Sequence, residues 1–293
     1  MDLNYLFFLQ QLREAAPTWL NAFLLFFSEL MGSSLALGLL ALIYWCISKK
    51  DGSFLLLNFS GAYLFNQGLK NIFRVDRPFL RDARLQPYTA ASGYSFPSGH
   101  TMLSTSVYVG LAARLRQKKA LLILCILLTL LTAFGRNWLG VHTPQDVLVG
   151  IAASCLVVAL NSFLLNWVES HEKWDWLLCL LGLALAGLIL LFCPGSGKVV
   201  GIYSGTLLGW LLERRCIRFE IRGGFLYRAL LFAGGMALLL LLHKLLLPAL
   251  FVSLEPQLSA GLSHFLIFLL IMAGWPALMM LFHKLFRKSS PRA

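Results

Sequence analysis

The amino-acid sequence predicts an all-α polytopic membrane bundle of about nine transmembrane helices. Three observations predict it. Of 293 residues, 58% are hydrophobic and only 13% are charged, whereas a soluble domain carries about 25% charge. Apolar runs approach the ~20 residues that a helix needs to cross a bilayer. Lys and Arg concentrate in alternate loops, the asymmetry that orients polytopic proteins.

Taken in order, residues 3–15 mix Leu and Phe with Gln, Arg and Glu, the pattern of an interfacial amphipathic helix too short and polar to span. Spans are expected at roughly 19–47, 53–73, 98–114, 120–137, 144–168, 176–193, 198–213, 226–250 and 260–285; the segment 198–213 is short and Gly-rich and makes the weakest case. One set of loops holds Lys49, Lys50, Arg114, Arg116, Lys118, Lys119, Lys173, Arg214, Arg215, Arg218 and Arg222, and the tail adds Arg287, Lys288 and Arg292. The segments 194–198 and 251–259 are nearly free of basic residues. The positive-inside rule then puts the N-terminus outside, the C-terminus in the cytoplasm, and segments 74–97 and 136–143 on the external face of a bacterial plasma membrane. The net charge of +12 is thereby absorbed as loop charge, and no nucleic-acid partner is implied. The N-terminus lacks a basic leader region, which argues against a cleaved signal peptide. The six cysteines sit mostly in apolar runs without metal or redox spacing; they read as small buried hydrophobes. No internal repeat or long linker is visible, so 1–293 reads as one membrane domain.

Three densely polar segments interrupt this apolar chain. The first runs from Lys70 to Arg77-Pro78, at the end of one span; the second is Pro97-Ser98-Gly99-His100, opening the next; the third holds Gly135-Arg136, His142 and Asp146, where two more spans meet. All fall on one side of the membrane, so one pocket can hold them. Lys70 and Arg77 lie seven apart, so near a helix end both can face one way. Arg77 and Arg136 offer planar forks that match phosphate oxygens, and Lys70 adds a point charge. Ser98-Gly99 open a helix whose free N–H groups favour an anion. His142 precedes Thr143-Pro144, a good helix start. Asp146, four residues on, can fix its tautomer and leave the other ring nitrogen as a nucleophile, or can merely complete a Thr143–Asp146 capping box. His100, one turn into its helix, can reach the same phosphate as general acid. Glu29, inside the first span, would cost about 2.5–3.5 kcal/mol at a bilayer centre; it lines the pocket or pairs with a polar neighbour.

This conjunction resembles the signature of the type 2 phosphatidic acid phosphatase (PAP2) superfamily: K-x6-RP, then PSGH, then SR-x5-H-x3-D. Lys70 to Arg77-Pro78, Pro97 to His100, and Arg136, His142 and Asp146 match at the right spacing, and Gly135 departs where the family usually has Ser. The resemblance covers roughly 53–170, a catalytic core; 176–293 would add helices of unassigned role. It implies that His142 becomes phosphohistidine, that His100 protonates the leaving oxygen, that Lys70, Arg77, Ser98, Gly99 and Arg136 hold the phosphoryl oxygens, and that Asp146 orients His142. It implies no metal or other cofactor, and phosphate or vanadate as the active-site anion.

The segment between Pro78 and Pro97 is short and apolar-rimmed by Phe79, Leu80, Leu85, Pro87 and Tyr88. That suits a substrate held among membrane lipids: a lipid phosphate or diphosphate such as undecaprenyl diphosphate, phosphatidate or phosphatidylglycerol phosphate. The alternatives are a soluble sugar phosphate, since a nine-span plan resembles glucose-6-phosphatase, and a non-catalytic lipid-binding membrane protein, against which the intact His100, His142 and Asp146 argue.

Overall fold

The computed structural model describes residues 3–115, 117–171 and 174–288, all helix and connecting loop with no strand among them. Arg116, Lys173 and Arg292, expected among the basic loop and tail charges, lie outside the described residues, and the side chains of Arg287 and Lys288 are not described. The helices are α1 (Asn4–Ala15), α2 (Thr18–Glu29), α3 (Ser34–Leu42), α4 (Lys49–Phe73), α5 (Pro78–Arg81), α6 (Gly99–Arg114), α7 (Lys119–Trp138), α8 (Pro144–Ser170), α9 (Asp175–Phe192), α10 (Gly197–Leu212), α11 (Phe225–Leu241), α12 (Leu247–Leu250), α13 (Pro256–Leu269) and α14 (Trp275–Lys288). Two compact units form: residues 1–37 with 61–164, and residues 38–60 with 165–293.

A helix occupies each expected span, but the span count differs. Five helical stretches are long and apolar enough to cross a membrane, or six if the bent pair Thr18–Gly32 and Ser34–Ile47 is one span. The other three have physical reasons to fall short. Helix α4 has 25 residues, but the uncharged stretch between Asp51 and Lys70 holds Asn58, Asn66 and Gln67, which lower its mean hydropathy. The 16 residues of α6 and of α10 extend about 24 Å at 1.5 Å per residue, less than the ~30 Å of hydrocarbon.

In the first unit, the apolar face of α1 and the end of α7 share a core of Leu6, Leu9, Leu24, Leu85, Trp138, Leu139 and Val141. Arg13 is buried there and donates to the carbonyls of Trp138 (2.7 Å) and Gln86. Asn21 accepts from the Trp138 indole at 2.8 Å. The run 19–47, read from sequence as one span, is broken: a 3₁₀ turn at Leu30–Gly32 ends at Ser33, whose hydroxyl donates to the Leu30 carbonyl at 2.7 Å. Helix α6 turns Thr101, Ser104, Thr105 and Ser106 inward, where Ser104 and Ser106 bond carbonyls three residues back.

In the second unit, the weakest expected span is one of the most tightly packed helices. Gly197, Gly201, Gly205 and Gly209 of α10 recur every four residues, and a Cβ on Gly201 or Gly205 would collide with the backbone of Gly261 or Phe265 in α13. This is close packing of the small-xxx-small kind. A π turn at Leu270–Gly274 frees carbonyls that accept from Trp45 (Ile271, 2.9 Å) and Tyr44 (Met272, 2.9 Å). Several of the expected loop charges are paired: Lys49 with buried Glu213 at 2.6 Å, Lys50 with Glu169, and Arg214 and Arg215 with buried Asp175. Of the cysteines, Cys46, Cys125, Cys179 and Cys193 are buried as expected, but Cys155 and Cys216 are exposed.

Candidate active site

All three polar segments lie in the first unit. Helix α4 stops at Phe73 because Arg74 adopts a left-handed conformation (φ 48°), and the chain turns before Pro78 opens α5. Lys70 and Arg77 therefore do not share a helix face, as their spacing suggested; the turn brings them together instead. Lys70 Nζ donates to the Tyr94 carbonyl. The Arg77 guanidinium donates to the carbonyls of Ser92 (2.7 Å), Gly93 (3.0 Å) and Val141 (3.1 Å). Much of the Arg77 fork thus braces the 92–95 loop and does not stand free for an anion. Burial lowers its pKa to about 10, with Arg136 pushing the same way, which leaves it charged at neutral pH.

Ser98 is the N-cap residue of α6. Its N–H donates to the Asp146 carbonyl at 2.9 Å, so the starts of α6 and α8 are tied together. Asn66 of α4 reinforces the joint by donating to the Pro97 carbonyl at 3.1 Å. Gly99 permits this approach, since a Cβ there would sit 3.1 Å from Asn66 Oδ1.

The third segment closes the site. His142 lies in the turn before α8 and is 1% exposed. Its Nδ1 is 3.4 Å from Asp146 Oδ2 and 3.3 Å from Ser95 Oγ, while its Nε2 is 3.4 Å from Arg77 Nη1. Asp146 Oδ2 also accepts from Ser95 Oγ at 2.6 Å and from the Thr143 N–H at 2.8 Å, and the Asp146 N–H reaches Thr143 Oγ1 at 3.4 Å. Asp146 therefore completes a capping box and also faces the imidazole. Burial keeps the His142 pKa well below the usual histidine range, and the charges of Arg136, Arg77 and Lys70 add to this against the opposing bond to Asp146. At neutral pH the imidazole is neutral and one ring nitrogen keeps its lone pair.

Arg136, near the end of α7, is 2% exposed. Its Nη1 pairs with Glu29, and its Nε is buried without a protein partner. The other Glu29 oxygen is 2.9 Å from His100 Nε2. Lys70, Arg77, Ser98, Gly99, His100, Arg136, His142 and Asp146 thus come together as one connected cluster. Sequence reading missed Ser95, whose only signal was a small hydroxyl residue just before the Pro97–His100 motif, and left the role of Glu29 open. Among the described residues no three His, Cys, Asp or Glu side chains converge as metal ligands.

Comparison with known proteins gives the family. The family model of the PAP2 superfamily matches residues 52–170. Phosphatidylglycerophosphatase B of Bacillus subtilis is 31% identical over an alignment of 154 positions that covers 48% of this chain and 73% of that protein. This chain belongs to the PAP2 superfamily. A second model, the transmembrane extension of PAP2 superfamily phosphatases, matches residues 197–288. A crystal structure of a transmembrane PAP2-type phosphatidylglycerolphosphate phosphatase from Bacillus subtilis aligns with TM-score 0.45 and 28% identity, over 55% of this chain and 85% of the other. The PAP2 chain is an integral membrane phosphoric ester hydrolase.

Its one departure from the PAP2 signature has a packing reason. A Cβ on Gly135 would lie 2.9 Å from Ser28 Cβ and 3.2 Å from the Leu24 carbonyl. The glycine lets α2 lie close on α7. Gly135→Ser, which restores the residue usual in the family, is expected to lower stability by about 1–3 kcal/mol through overpacking. A thermal melt in detergent checks this, and an unchanged or raised Tm would show that α2 does not need the glycine.

Proposed function

We propose that this chain hydrolyses a lipid phosphate or diphosphate at the extracytoplasmic membrane face, through a phosphohistidine formed on His142. The observation that carries the reading is the orientation of His142: Nδ1 is engaged by Asp146 and Ser95, and Nε2 is turned to Arg77. With Nδ1–H donated, Nε2 holds the lone pair that attacks phosphorus. The P–O bond to the leaving group breaks as the Nε2–P bond forms, and His100 gives a proton to the leaving oxygen. Water then attacks phosphorus, losing a proton to His100, and the P–N bond breaks to release inorganic phosphate and neutral His142. Lys70, Arg77 and Arg136, with the N-terminus of α6 at Ser98-Gly99, offset the charge on the phosphoryl oxygens. Phosphate, or vanadate as its trigonal mimic, would occupy the same cradle.

Two things support a lipid substrate. The relative from Bacillus subtilis is named for a lipid phosphate. The site residues also end or begin helices: Lys70 in the last turn of α4, Ser98 before α6 and His142 before α8. A phosphoryl group there sits at headgroup depth, and acyl or prenyl chains can stay in the bilayer. Loop charge supports the external face.

The test is a substrate series measured as phosphate release. Long-chain phosphatidylglycerol phosphate, phosphatidate and undecaprenyl diphosphate should give higher kcat/KM than their short-chain forms, because remote binding energy positions the reacting group. Glucose 6-phosphate should be the poorest substrate. Equal rates on long and short chains, or faster turnover of the sugar phosphate, would transfer the assignment to soluble esters. Run on sealed right-side-out vesicles, the assay should need no detergent; latent activity would put the site on the cytoplasmic face.

A further inference from the structure

We propose that Glu29 is the positioning residue for the leaving-group acid. Its carboxylate bridges two groups of the site, His100 through Nε2 at 2.9 Å and Arg136 through Nη1. The inference rests on the assignment of His100 as acid. It adds a residue from α2, outside the 52–170 segment that matches the family model.

Two independent features carry it. The first is the division of the carboxylate. A glutamate that only neutralised Arg136 would be expected to give both oxygens to the guanidinium fork, the common bidentate geometry. Here one oxygen goes to Arg136 and the other to His100, and Arg136 Nε stays without a protein partner. With Nε2–H donated to Glu29, His100 has Nδ1 left for the leaving oxygen. With Nη1 donated to Glu29, Arg136 has Nε left for a phosphoryl oxygen. One carboxylate thus orients the acid and a cation toward the same substrate.

The second feature is the break in the first apolar run. The 3₁₀ turn Leu30–Gly32 follows Glu29 directly, and a Cβ added to Gly32 would overlap the His100 imidazole at Nε2 and Cδ2. The break therefore sets both a carboxylate and a bare backbone against one ring. Glu29 is not a stand-in for substrate phosphate, because its hydrogen bonds go to Arg136 and His100 and not to Lys70, Arg77 or His142. As Nδ1–H passes to the leaving oxygen, Glu29 keeps Nε2–H.

The experiment compares two leaving groups on one phosphoryl group. Nitrophenolate leaves without a proton, whereas the alkoxide of phosphatidate needs one. Glu29→Gln should lower kcat on phosphatidate about 10²-fold, within the range of general acid catalysis, and kcat on p-nitrophenyl phosphate only a few-fold, with KM on phosphatidate nearly unchanged. His100→Ala, run beside it, should show the same asymmetry. If His100→Ala shows none, the acid assignment itself fails. If His100→Ala shows it and Glu29→Gln slows both substrates equally, or neither, Glu29 serves Arg136 or the fold alone and the inference is overturned. Should Glu29→Gln not fold, Gly32→Ala displaces the same ring without touching the carboxylate. It should reproduce the asymmetry, and equal loss on both substrates would again overturn the proposal.

Discussion

His142→Ala is expected to reduce phosphate release by on the order of 10⁴–10⁶-fold, the scale of removing one member of a nucleophilic unit, while the protein stays folded in detergent. In the proposed mechanism the imidazole supplies the atom that bonds to phosphorus. Wild-type enzyme denatured in alkaline SDS should carry a base-stable, acid-labile phosphoryl group that the variant lacks. The variant should also differ in its response to pH. Burial depresses the His142 pKa, so the unfolded chain, with an ordinary value of about 6.5, binds more protons than the folded one between the two pKa values. Stability from this group is therefore present above about pH 6.5 and is lost as pH falls toward the depressed value. Wild-type Tm should drop more between pH 7.5 and pH 5 than the Tm of His142→Ala, even though the variant, with a cavity, starts lower. An active variant would end the phosphohistidine mechanism. Equal pH slopes would mean that the ring is not held neutral by its surroundings.

The parts of this site that could be read from sequence share one property: their geometry is local. Pro97 to His100 open α6 and Thr143-Pro144 open α8, so the placement of His100, and of His142 beside Asp146, follows from helix starts and a four-residue spacing. The parts that could not be read depend on long-range contacts. Glu29 meets Arg136 across 107 positions of sequence, and nothing near residue 29 marks that partner. Ser95 joins Asp146 only because Lys70 and Arg77 hold the 92–95 loop by its carbonyls. The fold divides in the same way. Apolar runs located a helix at every expected span, since burial of apolar side chains is additive along a run. They missed the break at Gly32-Ser33, where two small residues look harmless in a long hydrophobic segment. They also undervalued α10, whose glycines lower mean hydropathy yet permit its close approach to α13.

Asp146→Asn separates the two roles that Asp146 holds. Its Oδ2 takes bonds from Ser95 Oγ (2.6 Å) and the Thr143 N–H (2.8 Å) and faces His142 Nδ1, whereas Oδ1 is buried with no partner. An asparagine with its oxygen at the Oδ2 position keeps the capping box and the ring orientation. Its amide nitrogen then falls at the Oδ1 position, a buried donor without an acceptor, at a cost of about 1–3 kcal/mol. The fold should survive that, with a lowered Tm. What is lost, in the proposed mechanism, is the charge that offsets the cation formed when His142 bonds to phosphorus. If instead the amide flips, its nitrogen faces Nδ1, which must then hold the lone pair, and Nε2 carries the proton and cannot attack. Either orientation removes catalysis, and kcat should fall by about 10²–10⁴-fold, the upper end being the loss seen when an asparagine imposes the wrong tautomer on a catalytic histidine. KM should change little, because the proposed mechanism gives the phosphoryl oxygens to Lys70, Arg136 and the charge of Arg77, and not to Asp146. Ser95→Ala keeps the charge and removes one donor to it, a hydrogen bond to a charged group worth about 1.5–3 kcal/mol, so its loss should be smaller, about 10–100-fold. Steady-state kinetics beside thermal melts check the order. If Asp146→Asn keeps kcat within tenfold of wild type while its Tm falls, the carboxylate is a helix cap and the orientation of His142 has another source.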